Sequence, residues 1–259
     1  METPHSTEYK NALKSEHLNS GIKPIMVCVD TTDHRSEFEK KDFREKMPSA
    51  LHVNFYAYPE DLDDENIKNA GIGTYAVSPV NEQNKFSRGY CECTGIVVSG
   101  IDKETGKNIS FLSHQDPNEL LTGHPEKFSA DVHSRLLEIK NRCKEGTIDA
   151  VIAGGNYITK KGNKGALKST RENYGDVIPA LSEEVRSVLG FDPAVVVGPK
   201  NVPGDDHLYF DNDNRRLYVF RPETGDVSTE SYMPKDFEKQ EKKWAENMYV
   251  PKEGEDEEE

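Results

Sequence analysis

The sequence predicts an α+β protein built on a mixed β-sheet. Three observations carry this. Short apolar runs of strand length recur along the chain, two amphipathic stretches have helical spacing, and hairpin patterns stand among them instead of a regular strand–helix alternation.

In chain order, PIMVCVD (24–30) is a short apolar run and reads as a buried strand. HRSEFEKKDFREKM (34–47) is charged, with Phe38 and Phe43 loosely spaced for a helix. LHVNFYAYP (51–59) alternates and reads as a strand, and DLDDENIKNAG (61–71) as a short acidic helix ending at Gly71. GIGTYAVSP (71–79) is a strand candidate followed by a polar loop, NEQNK. In SADVHSRLLEIKNRC (129–143), Val132, Leu136, Ile139 and Cys143 recur at helical spacing, with Ser129 as the expected N-cap and Gly146 near the stop. IDAVIA is a buried strand running into Gly154 and Gly155. STRENYGDVIPALSEEVRSVLG (169–190) opens on a capping box, Ser169 to Glu172. It carries the stripe Val177, Leu181, Val185 and Val188 and stops at Gly190. PAVVVG reads as another buried strand, and HLYF, DNDN and RRLYVFRP as a hairpin. Phe237, Trp244 and Met248 suit one face of a C-terminal helix, ahead of the acidic block EGEDEEE. The expected organisation is an N-terminal α/β extension over 1–67, a core over 68–232, and a C-terminal helix with an acidic disordered tail over 233–259.

A chain of 259 residues can bury a sizeable core, as one large domain or two small ones. A net charge of −14 argues against nonspecific nucleic-acid binding. No apolar run approaches the ~18 residues that span a bilayer, and the first residues lack the apolar segment of a signal peptide. The expectation is a soluble protein without nucleic-acid or membrane partners, cytoplasmic or secreted by a route independent of a signal peptide. Four cysteines (28, 91, 93 and 143) in a chain of this length do not make a disulfide framework.

The chemistry centres on CECTGIVVSGIDKETGKNISFLSH (91–114). The turn KETG between two β-rich arms predicts a hairpin. With Lys103 to Gly106 as the loop, Asp102 faces Lys107, Cys93 faces Asp116, and His114 lies on the diagonal from Cys93. Diagonal neighbours share a sheet face at roughly 7–8 Å, within side-chain reach. A loop two residues shorter would set the pair directly opposite; an odd change would put them on opposite faces. A thiol beside an imidazole can ionise below its ordinary pKa of ~8.5 and attack carbonyl carbon, with the histidine carrying the proton. Other readings stand beside this one. Any Cys and His at hairpin ends can be structural. Cys91 and Cys93 with His114, His124, His133 or Cys143 could bind zinc, although C-x-C is not a zinc-finger spacing. A Cys91–Cys93 disulfide is disfavoured by geometry. Cys28 and Cys143 sit in apolar patterns and read as core residues, and His124 and His133 as surface residues.

Over residues 70–228 the ordered set of motifs resembles the CheD family of chemoreceptor glutamine deamidases and, more distantly, the catalytic domain of cytotoxic necrotizing factor. GIGTYAVSP resembles the leading strand, SRGYCEC the nucleophile loop and SFLSHQDP the histidine segment. IDAVIAGGN, VVVGPKN and RRLYVFRPETGDV follow in the same order. The resemblance implies a mixed β-sheet sandwich flanked by helices. Carried over by position, it makes Cys93 the nucleophile, His114 the base and Ser87 the counterpart of the family threonine six residues before the cysteine. Gly89 matches a loop glycine. The family's small Gly-Ser step is Cys91-Glu92 here, and the segment after the histidine is more polar.

The resemblance further implies hydrolytic deamidation of a glutamine side chain in a protein substrate, a chemoreceptor or a host regulatory protein, with no cofactor and no metal. Ser87 would orient the imidazole, His114 would take the thiol proton, and backbone N–H groups including that of Cys93 would hold the oxyanion. Tyr90, Glu92, Gln115, Gly154, Gly155 and Asn156 are candidate substrate-binding residues. Peptide cleavage and transglutamination use the same thioester, and a non-catalytic protein-binding module on the same fold is the alternative of another kind. The sequence leaves the oligomeric state open.

Overall fold

The structure is a computed structural model. It describes residues 6–10, 17–30, 50–53, 75–90, 93–116, 125–157, 177–199 and 206–220, of which 6–10, 28–30, 125, 155–157 and 197–199 are described by their backbone alone. The sequence-predicted helices at 34–47, 61–71 and 233–248, the acidic tail and the Ser169 capping box lie outside these residues.

Eleven strands and two helices are described. The strands are β1 (Ser6–Lys10), β2 (Met26–Asp30), β3 (Leu51–His52), β4 (Tyr75–Val77), β5 (Lys85–Tyr90), β6 (Thr94–Ile101), β7 (Asn108–Gln115), β8 (Asp149–Tyr157), β9 (Ala194–Pro199), β10 (Asp206–Asp211) and β11 (Arg216–Phe220). The helices are α1 (Pro125–Arg142), between β7 and β8, and α2 (Ile178–Leu189), between β8 and β9. One sheet has the order β1-β2-β11-β10-β5-β3 and the other β4-β7-β6-β8-β9. Both are mixed: β2–β11, β3–β5 and β8–β9 pair in parallel, the remaining pairs antiparallel. The α+β class with mixed sheets is therefore as the sequence predicts. Strands β1–β3, from the first 67 residues, hydrogen-bond directly into the six-stranded sheet.

Strand alternation divides the interior into two cores. One face of the five-stranded sheet carries Ile96, Val98, Ile109, Phe111, Ala150 and Ile152, packed against Phe128, Val132, Leu136 and Ile139 of α1 and Leu181 and Val185 of α2. The opposite face carries Ala76, Val97, Leu112, Val151 and Ala153, packed with Val27, Leu208, Phe210, Leu217 and Val219 of the six-stranded sheet. Helices, five-stranded sheet and six-stranded sheet form three layers, so successive residues of β6 and β7 look alternately into two separate cores.

The hairpin expectation holds in detail. β6 pairs with β7 in the register Thr94↔Gln115, Val97↔Leu112 and Ile101↔Asn108. The turn closes through Asp102 N–H to Lys107 O at 2.9 Å and Gly106 N–H to Asp102 O at 3.0 Å. Gly106 has φ +71°, a conformation that favours glycine. Both stripes are buried as expected: Val132, Leu136, Ile139 and Cys143 along α1, and Val177, Leu181, Val185 and Val188 along α2. Gly190 ends α2 with φ +84° and donates to Arg186 O.

Three expectations need correction. Ser129 is not an N-cap, because α1 begins at Pro125, where the fixed φ of proline suits a first turn; the helix thus gains Phe128 as a further core residue. Gly154 and Gly155 do not end a strand: β8 continues to Tyr157, and the register with β9 shifts between Ala153 and Asn156 to absorb them. SRGY is not a loop, since Lys85–Tyr90 forms β5, bonded to β10 and β3.

Candidate active site

The site forms where β5 of one sheet faces the β6–β7 hairpin of the other. In the register of that hairpin, Cys93, one residue ahead of β6, is the diagonal neighbour of His114 on one face. That face is the inter-sheet core, to which Cys93 belongs.

Ser87 reaches the same place from the other sheet. Within β5, Lys85 and Ser87 point inward and Phe86 outward, where it packs with Ala50, Tyr209 and Phe220. Strict alternation would send Tyr90 outward as well. A β-bulge prevents this: the register against β10 runs His207↔Arg88 and then Asp206↔Tyr90, so Gly89 is the extra residue, with φ +84°. The bulge reverses the alternation and turns Tyr90 inward, beside Ser87.

Ser87 Oγ lies 2.9 Å from His114 Nδ1. The serine hydroxyl has one proton, and it donates this to the backbone oxygen of Val53. Toward the imidazole Ser87 is therefore the acceptor, and Nδ1 carries the ring proton. This tautomer leaves the basic lone pair on Nε2, as a histidine that takes a proton from a thiol requires. His114 is fully buried. Burial holds its pKa down, to about 3; the Val53 carbonyl pulls in the opposite direction, and nearby His207 adds to the depression. The imidazole is neutral in the resting protein.

Tyr90 is also fully buried. Its ring stacks on the His114 ring with centroids 3.9 Å apart and planes at 15°. Its hydroxyl donates to Ser113 O at 3.0 Å. Burial pushes the phenol well above its ordinary pKa, so it is a neutral donor. Two glycines make room for it. A Cβ on Gly95 would lie 2.9 Å from Tyr90 Oη, and one on Gly154 would lie 2.8 Å from Tyr90 Cδ1 and 2.7 Å from Cys93 O. Gly154, with φ +87°, pairs with Thr94 and passes alongside the Cys93 backbone.

The structure thus brings together Ser87, Tyr90, Cys93, His114 and Gly154. It separates Gln115, which faces the helices: its Nε2 donates to Thr94 Oγ1 at 2.9 Å, and its Oε1 accepts from Ser113 Oγ at 2.8 Å. A substrate contact from that amide has no geometric basis. Tyr90, expected to bind substrate, is an interior residue packed on the His114 ring. Gly155 and Asn156 lie in β8, and Asn156 pairs with Gly198; Cys91, Glu92 and His124 lie outside the described residues. Sequence reasoning missed the imidazole contact of Tyr90, and the signal that could have found it is Gly89, since a lone glycine in a strand pattern marks a bulge.

Among the described residues, no group of three His, Cys, Asp or Glu side chains is gathered to hold a metal ion. His133 pairs with Glu184 at 2.6 Å, Nδ1 to Oε1, on the outer side of the helices. Cys143 is in the helix-side core, where burial pushes its thiol up to about 12. Among the described residues no helix is long and apolar enough to cross a membrane. In comparisons with known proteins, no family model matches the chain and no curated protein is significantly similar to it.

Proposed function

We propose that the chain is a cysteine hydrolase that converts glutamine side chains of a protein substrate to glutamate through a thioester, on a fold of the CheD and necrotizing-factor type. One observation carries the reading. Ser87 and His114 are bonded across two sheets at 2.9 Å in the orientation that puts the basic lone pair on Nε2, on the face His114 shares with Cys93. Burial keeps the imidazole neutral at rest, so the thiol proton moves to Nε2 as sulfur attacks, without a preformed ion pair.

The chemistry balances with water as the only co-reactant. Cys93 Sγ bonds to the carboxamide carbon while its proton passes to His114. The C–N bond breaks, and the nitrogen leaves as ammonia with that proton. Water then gives a proton to His114 and adds to the thioester. The C–S bond breaks, Sγ recovers the proton, and glutamate is released.

The test is ammonia release, with mass spectrometry of candidate protein substrates after incubation with wild type or Cys93→Ser. Conversion of specific glutamines by wild type, lost in Cys93→Ser, is expected. Conversion that survives Cys93→Ser overturns the assignment of the nucleophile. A peptidase would instead yield cleaved chains, and a transglutaminase amine adducts.

A second reading has an observation of its own. Cys93 is only 6% exposed and His114 is fully enclosed, as in a non-catalytic binding module. Native-state alkylation separates the two: a catalytic Cys93 reacts with iodoacetamide below the pH of an ordinary thiol (~8.5), a sealed one does not react until the protein unfolds.

A further inference from the structure

We infer that Tyr90 is a positioning residue for His114: its ring is a fixed plate against one face of the imidazole and holds it in the orientation set by Ser87. The inference rests on the deamidase reading, since positioning has a purpose only if His114 moves a proton.

Several features combine to fix the plate. The phenol is anchored at its tip by Ser113 O, 3.0 Å away on the strand that carries His114. It lies in a slot cut by two glycines on adjacent strands, Gly95 and Gly154, where a side chain on either would collide with it. It enters the core only because the Gly89 bulge turns it inward. The imidazole is then gripped at Nδ1 by Ser87 at 2.9 Å and over one face by Tyr90, with centroids 3.9 Å apart. Rotation about the final side-chain bond of His114 would tilt the ring off the plate, and a half-turn, which restores the stack, would still break the bond from Nδ1 to Ser87. The stack also has a charge preference. A tyrosine face attracts a cation, so it favours the imidazolium that forms when the thiol proton arrives, in a core that otherwise disfavours charge. The titratable groups acting on the stacked pair are His207, on the imidazole, and Cys93, on the phenol.

The experiment compares wild type, Tyr90→Phe and Tyr90→Leu. Two quantities are measured: the pH–rate profile of Cys93 alkylation, located by peptide mapping, and the NMR shift of the His114 ring protons, assigned with His114→Gln. Phenylalanine keeps the plate and loses the hydroxyl with its contacts to Ser113 O and Ser87; leucine fills the slot without a π face. In Tyr90→Leu the ring-current displacement of His114 is expected to vanish and the alkylation profile to move up by about one pH unit, roughly tenfold in rate at neutral pH. Tyr90→Phe is expected to keep the ring-current displacement and stay within about threefold of wild type. A Leu variant that folds, loses the ring-current displacement and keeps the wild-type profile overturns the inference and leaves the deamidase reading standing. Equal losses in Phe and Leu also overturn it, by assigning the effect to the hydroxyl. A wild type whose Cys93 alkylates like an ordinary thiol overturns the deamidase reading, and the inference falls with it.

Discussion

Ser87 is the residue on which both sheets meet at the site. Its proton goes to Val53 O and its lone pair receives His114 Nδ1–H, so one hydroxyl sets the tautomer and ties β5 to β7. Ser87→Ala removes both contacts in a buried environment. The expected result is a stability loss of about 1–3 kcal/mol in urea unfolding and at least a tenfold loss, roughly, in Cys93-dependent turnover. Ser87→Thr restores the hydroxyl and should recover most of both. An alanine variant as active as wild type would remove Ser87 from the proton path. Ser87, Cys93 and His114 could all be picked out in the sequence, the last two because one local hairpin fixes their relation and the first only because a resemblance put a hydroxyl six residues before Cys93. Tyr90 could not be ranked in the same way. Its value comes from a ring on another sheet and from two glycines elsewhere in the chain, none of which lies within a local window. Gln115 misled for a related reason. It adjoins His114 in sequence, yet neighbours on a strand face opposite cores.

At the scale of the element, β5 shows how one residue of backbone controls a site. Nothing lies within 4 Å of a Cβ built on Gly89, so space does not demand glycine there. The backbone does, at φ +84°. Gly89→Ala is therefore expected to cost about 1–2 kcal/mol through conformation alone. If the bulge straightens to relieve the strain, Tyr90 is driven out of the core, and His114 loses its stacked partner while Ser87 stays in place. Urea unfolding measures the first effect and the His114 ring shift the second; an alanine variant with wild-type stability would show that the bulge accepts any residue. The β6–β7 hairpin was legible because Asp102, Gly106 and the two arms interact locally, and of the loop lengths left open the one from Lys103 to Gly106 is observed. β5 was not, because KFSRGY breaks the alternating pattern at the bulge that gives the strand its role. The start of α1 was misplaced because the proline that opens it resembles loop sequence.

At the scale of the whole molecule, the layer order decides what each buried group experiences. The sequence pattern foretold strands, helices and the mixed character of the sheets. Which sheet each strand joins depends on pairings between distant segments, such as β2 with β11, and these have no local signature. That assembly seals His114 between two sheets, and the seal has a consequence for folding. The folded protein holds His114 neutral down to about pH 3, whereas an unfolded histidine takes its proton near ~6.5. Below that value the unfolded chain binds the extra proton and the native state does not. The stabilising contribution is thus complete above about pH 6.5 and is lost as the pH falls toward 3, by about 1.4 kcal/mol per unit and about 5 kcal/mol in all. Asp149 works against this trend. Burial raises its pKa, so the native state holds that proton more firmly, and its share of stability declines as the pH rises through the carboxylate range. The two effects separate by subtraction. Urea unfolding of wild type and His114→Gln across pH 4–8 leaves Asp149, His17, His52 and His207 common to both proteins. The difference between the two curves should be level above about pH 7 and shift against wild type with each unit below 6.5. Parallel curves over the whole range would mean that His114 titrates normally in the folded protein, and that the inter-sheet core is open to water around its ring.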